Sequence, residues 1–139
     1  MVQLIIGEKG KGKTKKLLDK VNEDIKSISG SIVYLDKSTR HMYDLNNKVR
    51  LIDVSRYNIT NSDEFIGFVR GIVSQDHDLE QMYFDSFLTI AALDVDGMEK
   101  AVEKLEETGK VCGVDFIMSV SVDESKLPES LKDKVLFSL

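Results

Sequence analysis

Apolar residues follow two rhythms along this chain. Short continuous runs suit buried strands, and between them apolar positions recur every three or four residues, as on one face of a helix. Val2-Gln3-Leu4-Ile5-Ile6 is the first run and stops at Gly7. Thr14 to Ile28 follows as a helix with Leu17, Leu18, Val21, Ile25 and Ile28 on one face, and Gly30 suits its C-cap. Ser31 to Leu35 reads as a second strand ending at Asp36, and polar residues 37 to 48 read as a loop. Val49 to Val54 predicts a short strand. Asn61 and Glu64 have the spacing of a capping box and open a helix bearing Phe65, Ile66, Val69, Ile72 and Val73. Gln81 to Asp85 is the next strand. A helix starts at Asp96, carries Met98, Ala101, Val102 and Leu105 inward, and closes at Gly109. Val114 to Ser121 is the last long strand. Pro128 suits the first turn of a short helix through Lys134, and Val135 to Phe137 an edge strand.

Strands alternating with helices predict an α/β fold, a three-layer sandwich with a mostly parallel central sheet. No Pro/Ser-rich linker, low-complexity tract or repeat interrupts residues 1–139, which read as a single domain. Hydrophobic content of 42% and charged content of 31% are ordinary for a globular chain with a real core. The net charge of −5 argues against a general nucleic-acid binder. One cysteine, Cys112, excludes an internal disulfide and a cysteine-based zinc site. No signal peptide is expected, because the sequence opens directly on a strand pattern, and no apolar run reaches the roughly 18 residues of a membrane span. A cytoplasmic setting without membrane contact is the expectation.

Within this alternation, residues 7 to 14 read Gly-Glu-Lys-Gly-Lys-Gly-Lys-Thr and satisfy G-x-x-x-x-G-K-[ST]. By average residue usage, chance supplies that pattern in about 0.5% of chains this long, and here it also falls between a strand and a helix. Each residue type has a task on a triphosphate. Gly7, Gly10 and Gly12 permit tight turns and close backbone approach. Consecutive N–H groups around Glu8, Lys9, Gly10, Lys11 and Gly12 can cradle phosphate oxygens, helped by the helix N-terminus. Lys9 and Lys11 add positive potential. Lys13 is expected to stand exposed and reach the β and γ phosphates, and the Thr14 hydroxyl to ligate Mg²⁺.

The chain thus resembles P-loop nucleoside triphosphatases, most strongly over residues 2 to 28, and its element order is similar to small RecA/ASCE-type ATP-binding proteins. That resemblance implies ATP and Mg²⁺ as cofactors and a metal-holding aspartate at the end of a core strand. Asp85, directly after Met82-Tyr83-Phe84, is its counterpart. Many relatives place a glutamate next, to activate water, whereas this chain has Ser86. Asp36, ending a neighbouring strand, is the remaining candidate for orienting water. Ser119 and Ser121 occupy the region of a γ-phosphate sensor, or simply one polar strand face.

Residues 37 to 56 hold Arg40, Lys48, Arg50 and Arg56, with Tyr34, Tyr43 and Tyr57 nearby. An arginine there can act as a finger, and a tyrosine can stack on a base; a solvated loop explains the same residues. Asp94 heads a D-x-x-G pattern seen in guanine-nucleotide switches. The matching N-K-x-D is spoiled at Asn47-Lys48-Val49-Arg50, so Asp94 and Asp96 read as residues starting a helix. His41 and His77 lack metal-ligand spacing and read as ordinary surface or hydrogen-bonding residues. Phe65, Phe68, Phe84, Phe87 and Phe116 read as core, and the alternating charges from Glu99 to Glu107 as a solvated helix face.

The functional expectation is an Mg-ATP-binding protein with slow or partner-stimulated hydrolysis. Lys13 and Asp36 carry the chemistry, and Thr14 and Asp85 the metal. The alternatives are a nucleoside or metabolite kinase and a non-hydrolysing nucleotide-sensing adaptor. A nucleoside triphosphate is the expected ligand, with a second copy or another protein as an open partner and nucleic acid unsupported.

Overall fold

The computed structural model describes residues 1–139. Six strands form one sheet in the order β3-β2-β4-β5-β1-β6, and every neighbouring pair is parallel. They are β1 Val2–Gly7, β2 Ser31–Asp36, β3 Arg50–Asp53, β4 Leu79–Phe84, β5 Asp115–Ser121 and β6 Val135–Ser138. The helices are α1 Lys13–Asp24, α2 Ser62–Ser74, α3 Phe87–Ile90 and α4 Met98–Cys112. No helix is long and apolar enough to cross a membrane.

Alternation along the strands builds two cores, one on each face of the sheet. Ile5, Ile32, Tyr34, Tyr83 and Ile117 point to the face covered by α1, where Leu17, Val21 and Ile25 meet them. Leu4, Ile6, Leu35, Phe84, Phe116 and Met118 point to the other face, against Phe65 and Val69 of α2 and Met98, Val102 and Leu105 of α4. Leu17 and Leu105 are completely buried, and each such side chain stabilises by about 2 kcal/mol. The expected three-layer α/β sandwich is present, with a wholly parallel sheet. Phe65, Phe84, Phe87 and Phe116 are core aromatics as expected, and Phe68 packs at the core's edge.

Several boundaries differ from the sequence reading. Helix α1 stops at Asp24, whose carboxylate accepts from Gln81 at 3.0 Å and Tyr83 at 2.7 Å. Gly30 is therefore no C-cap. It lies so close to the turn before β4 that a Cβ would meet the Asp78 carbonyl at 2.0 Å. Helix α4 runs past Gly109 to Cys112 and is capped by left-handed Gly113, φ 71°. Gly109 is required inside the helix, where a Cβ would come 2.5 Å from the Val114 carbonyl. The Asn61 side chain caps the Glu64 N–H at 2.9 Å, but the Glu64 carboxylate returns to Thr60 rather than Asn61. Strand β3 is shorter than expected because Asp53 caps a 3₁₀ turn, Val54–Tyr57. The short helix α3 follows β4 without forewarning in the pattern.

Candidate functional site

The parallel arrangement gathers the carboxyl ends of β1, β2, β4 and β5 at one edge, where ligands of open α/β sheets bind. Gly7 ends β1 and Asp36 ends β2, Asp85 follows β4, and Ser119 and Ser121 lie at the end of β5. Asp85, Ser119 and Ser121 border a cleft of about 520 Å³ with no hydrophobic residue in its lining. A more apolar hollow of about 490 Å³, between α2 and α4, lies away from these strand ends.

The loop between β1 and α1 forms one wall. Gly10 and Gly12 are left-handed, with φ 85° and 91°, which glycine adopts without steric penalty. Gly12 is the residue before α1, and no side chain caps that helix start. Its first N–H groups have no partner within the helix and are left for an external acceptor. Lys13 departs from expectation. It is only 9% exposed, folded inward so that Nζ donates to the Glu8 carbonyl at 3.0 Å. Burial lowers its pKa, opposed by attraction to Asp85. Lys9, Lys37 and Arg40 add positive charge around the cleft.

Asp85 is the best-held group here, at 2% exposure. Its Oδ1 accepts from the Thr14 hydroxyl at 3.1 Å and the Ser119 hydroxyl at 3.2 Å, and its Oδ2 from the Tyr34 hydroxyl at 2.9 Å. Ser119 is thus a positioning group for Asp85. It also accepts from the Ser86 N–H at 2.7 Å, pinning a left-handed residue with φ 62°. Tyr34 is fully buried and stacks on Tyr83 with ring centroids 6.1 Å apart, so it is closed to a nucleotide base. Burial and the neighbouring Asp85 charge push its phenol pKa far up, keeping it a donor.

Asp36 lies behind the cleft, with a carboxylate oxygen within 4.8 Å of ligand atoms on Asp85 and His41. Burial, reinforced by the Asp85 charge, pushes its pKa up to about 6. Oδ1 accepts from the Lys37 N–H at 2.7 Å, while Oδ2 is buried with no partner. His41 is brought to this cleft by the turn after β2, which its place in the sequence did not signal beyond being close behind a strand-terminal aspartate. Arg40 lines the cleft, whereas Lys48, Arg50 and Arg56 do not; Arg56 lies 3.8 Å from Asp53. Tyr57 packs on Phe68 and Tyr43 is open to solvent. Asp94 caps the Gly97 N–H at 3.0 Å, a helix-start role as expected.

The chemistry available is anion binding by backbone N–H groups and lysines beside a carboxylate–hydroxyl pair. Those donors fit Mg²⁺, which prefers oxygen ligands, and the orphaned Asp36 oxygen lies buried beside Asp85 and His41.

No family model matches the sequence, and no curated protein matches it. Among solved structures, the chain is similar to the flagellar accessory protein FlaH from Methanocaldococcus jannaschii, with a TM-score of 0.60 and 14% identity. The match covers 93% of this chain and 63% of that one, so the chain spans less than two thirds of FlaH. At that identity the likeness establishes a shared α/β fold.

Proposed function

We propose that this chain binds a magnesium–nucleoside triphosphate, with ATP as the nucleotide, and hydrolyses it slowly or only when a partner completes the site. The observation that carries this reading is the Thr14–Asp85 hydrogen bond of 3.1 Å at the foot of a loop whose Gly10 and Gly12 are left-handed. Residues separated widely in sequence converge there, as a phosphate loop and its metal carboxylate require.

In this reading the loop N–H groups from Glu8 to Thr14 hold phosphate oxygens, and Lys13 exchanges the Glu8 carbonyl for the β and γ phosphates. Thr14 and Asp85 would hold Mg²⁺, which when bound neutralises phosphate charge. Asp36 is the group to orient water and accept its proton, because its raised pKa brings it nearer neutrality than an ordinary aspartate. The single cysteine, exposed and unpaired, suits a reducing cytoplasmic setting.

The test is a nucleotide panel measured by calorimetry, with and without Mg²⁺, on the wild-type chain and Lys13→Ala. Magnesium-dependent ATP binding that the variant loses supports the reading; equal binding by both sinks it. A second reading, a non-hydrolysing nucleotide sensor, is favoured by Ser86, which leaves no carboxylate directly after Asp85. Stable binding with intact ATP after long incubation, alone and with candidate partners, selects it.

A further inference from the structure

Asp36, His41 and Asp85 each offer a ligand atom within 4.8 Å of the other two. Both carboxylates are 2% exposed, and Asp36 Oδ2 is buried without any hydrogen-bond partner. An ionised oxygen in that position is unfavourable unless something positive meets it. Asp85 Oδ2 accepts only from Tyr34, which leaves it a second lone pair. His41 Nδ1 faces Asp44 Oδ2 at 3.2 Å. Metal-bound imidazoles commonly have such a carboxylate behind them, fixing the tautomer and freeing the other nitrogen, here Nε2.

We propose that Asp36, His41 and Asp85 form a binding site for a divalent first-row transition ion, held by two carboxylate oxygens and one imidazole nitrogen and independent of any nucleotide. The donor set decides the class of ion. An imidazole suits zinc, iron and their neighbours, whereas magnesium and calcium prefer oxygen alone. Ligand bonds of about 2.1 Å place neighbouring donors about 3 to 3.5 Å apart, so the cluster closes by at most about 2 Å on loading. His41 supplies that movement, since it lies on a loop with its side chain 24% exposed while both aspartates are fixed at strand ends. An ion there occupies the Asp36 oxygen otherwise free to take a proton from water. Loading the site therefore disfavours hydrolysis and favours the nucleotide-sensing behaviour.

The chain provides its own control, because His41 and His77 are its two histidines and His77 is exposed elsewhere. Mn²⁺ alone, added in substoichiometric amounts without nucleotide, should broaden the imidazole proton signals of His41 and leave those of His77 sharp, with His77→Gln assigning the pair. Co²⁺ titrated into the protein should bind one ion per chain with a visible absorption band, weakened at least tenfold by His41→Ala and by Asp36→Asn. Equal broadening of both histidines, broadening of neither, or Co²⁺ affinity unchanged in His41→Ala overturns the site. The proton-signal readout needs no active-site variant, and no arm contains a triphosphate, so failure here is distinct from failure of ATP binding.

Discussion

Replacing Asp36 by Asn should make the protein more stable at neutral pH. The carboxyl is 2% exposed, and burial together with Asp85 raises its pKa from 3.8 to about 6. Such a rise corresponds to about 3 kcal/mol working against the folded state once the group is ionised. The direction follows from proton counts. Between pH 4 and 6, roughly, the folded chain holds the proton more tightly than the unfolded one, so this contribution to stability falls as pH rises and levels off above the folded pKa. Asn keeps an acceptor for the Lys37 N–H and removes the ionisation. Part of the gain is lost to orienting its amide, so the expected stabilisation at pH 8 is about 1 to 3 kcal/mol, shrinking towards zero near pH 4. Urea unfolding of both proteins across that range, in EDTA and without nucleotide, measures the gap. A gap that does not change with pH, or a less stable variant at pH 8, refutes the electrostatic reasoning. A more stable but less active variant would place strain where function needs it.

Lys13→Ala should lower ATP affinity roughly 10- to 100-fold, the range of a charge-assisted contact, with the calorimetric panel as readout. Urea unfolding should show little change, because the buried lysine contributes one hydrogen bond to Glu8 at the expense of its own desolvation. Ser119→Ala frees one side of Asp85 and should weaken the magnesium dependence of binding several-fold without abolishing it; an unchanged magnesium titration would remove Ser119 from the site. Gly109→Ala forces a Cβ to within 2.5 Å of the Val114 carbonyl and should destabilise by about 2 kcal/mol, measured as a drop in Tm with ATP binding intact at low temperature. Asp24→Asn should cost about 1 to 3 kcal/mol. Burial opposes that carboxylate's charge, but hydrogen bonds from Tyr83, Gln81 and Lys20 overcome it and hold its pKa down; equal urea midpoints at pH 7 would contradict this.

The layers and the sheet were legible because they rest on periodicity, which survives burial on both faces. The glycine-rich loop between β1 and α1 was legible because its residues, with left-handed Gly10 and Gly12, are contiguous. What escaped was set by distance along the chain. Gly30 and Gly109 looked like helix stops, yet each answers to a carbonyl from another segment, Asp78 and Val114 respectively. Lys13 looked solvent-facing because local sequence says nothing of the Glu8 carbonyl that folds it inward. Ser119 and Tyr34 both serve Asp85 from different strands, and no spacing rule joins them. His41 has no metal-ligand spacing to another histidine, whereas its companions Asp36 and Asp85 come from β2 and from the turn after β4.

The position of β1 has a consequence for how the molecule comes into being. The strand that presents the glycine loop precedes the other five in the chain, yet its two neighbours are β5 and β6, and Val2 pairs with Phe116. During synthesis at about 5 to 20 residues per second, it waits about 5 to 20 seconds for any partner. Strands β2, β3 and β4 can pair among themselves meanwhile. Insertion of β1 between β5 and β6 is then a late, long-range closure of the kind that slows folding. A ligand held by the β1 loop would thus recognise only chains in which the first strand has been captured by those made last, and its binding can serve as a clock for that final step.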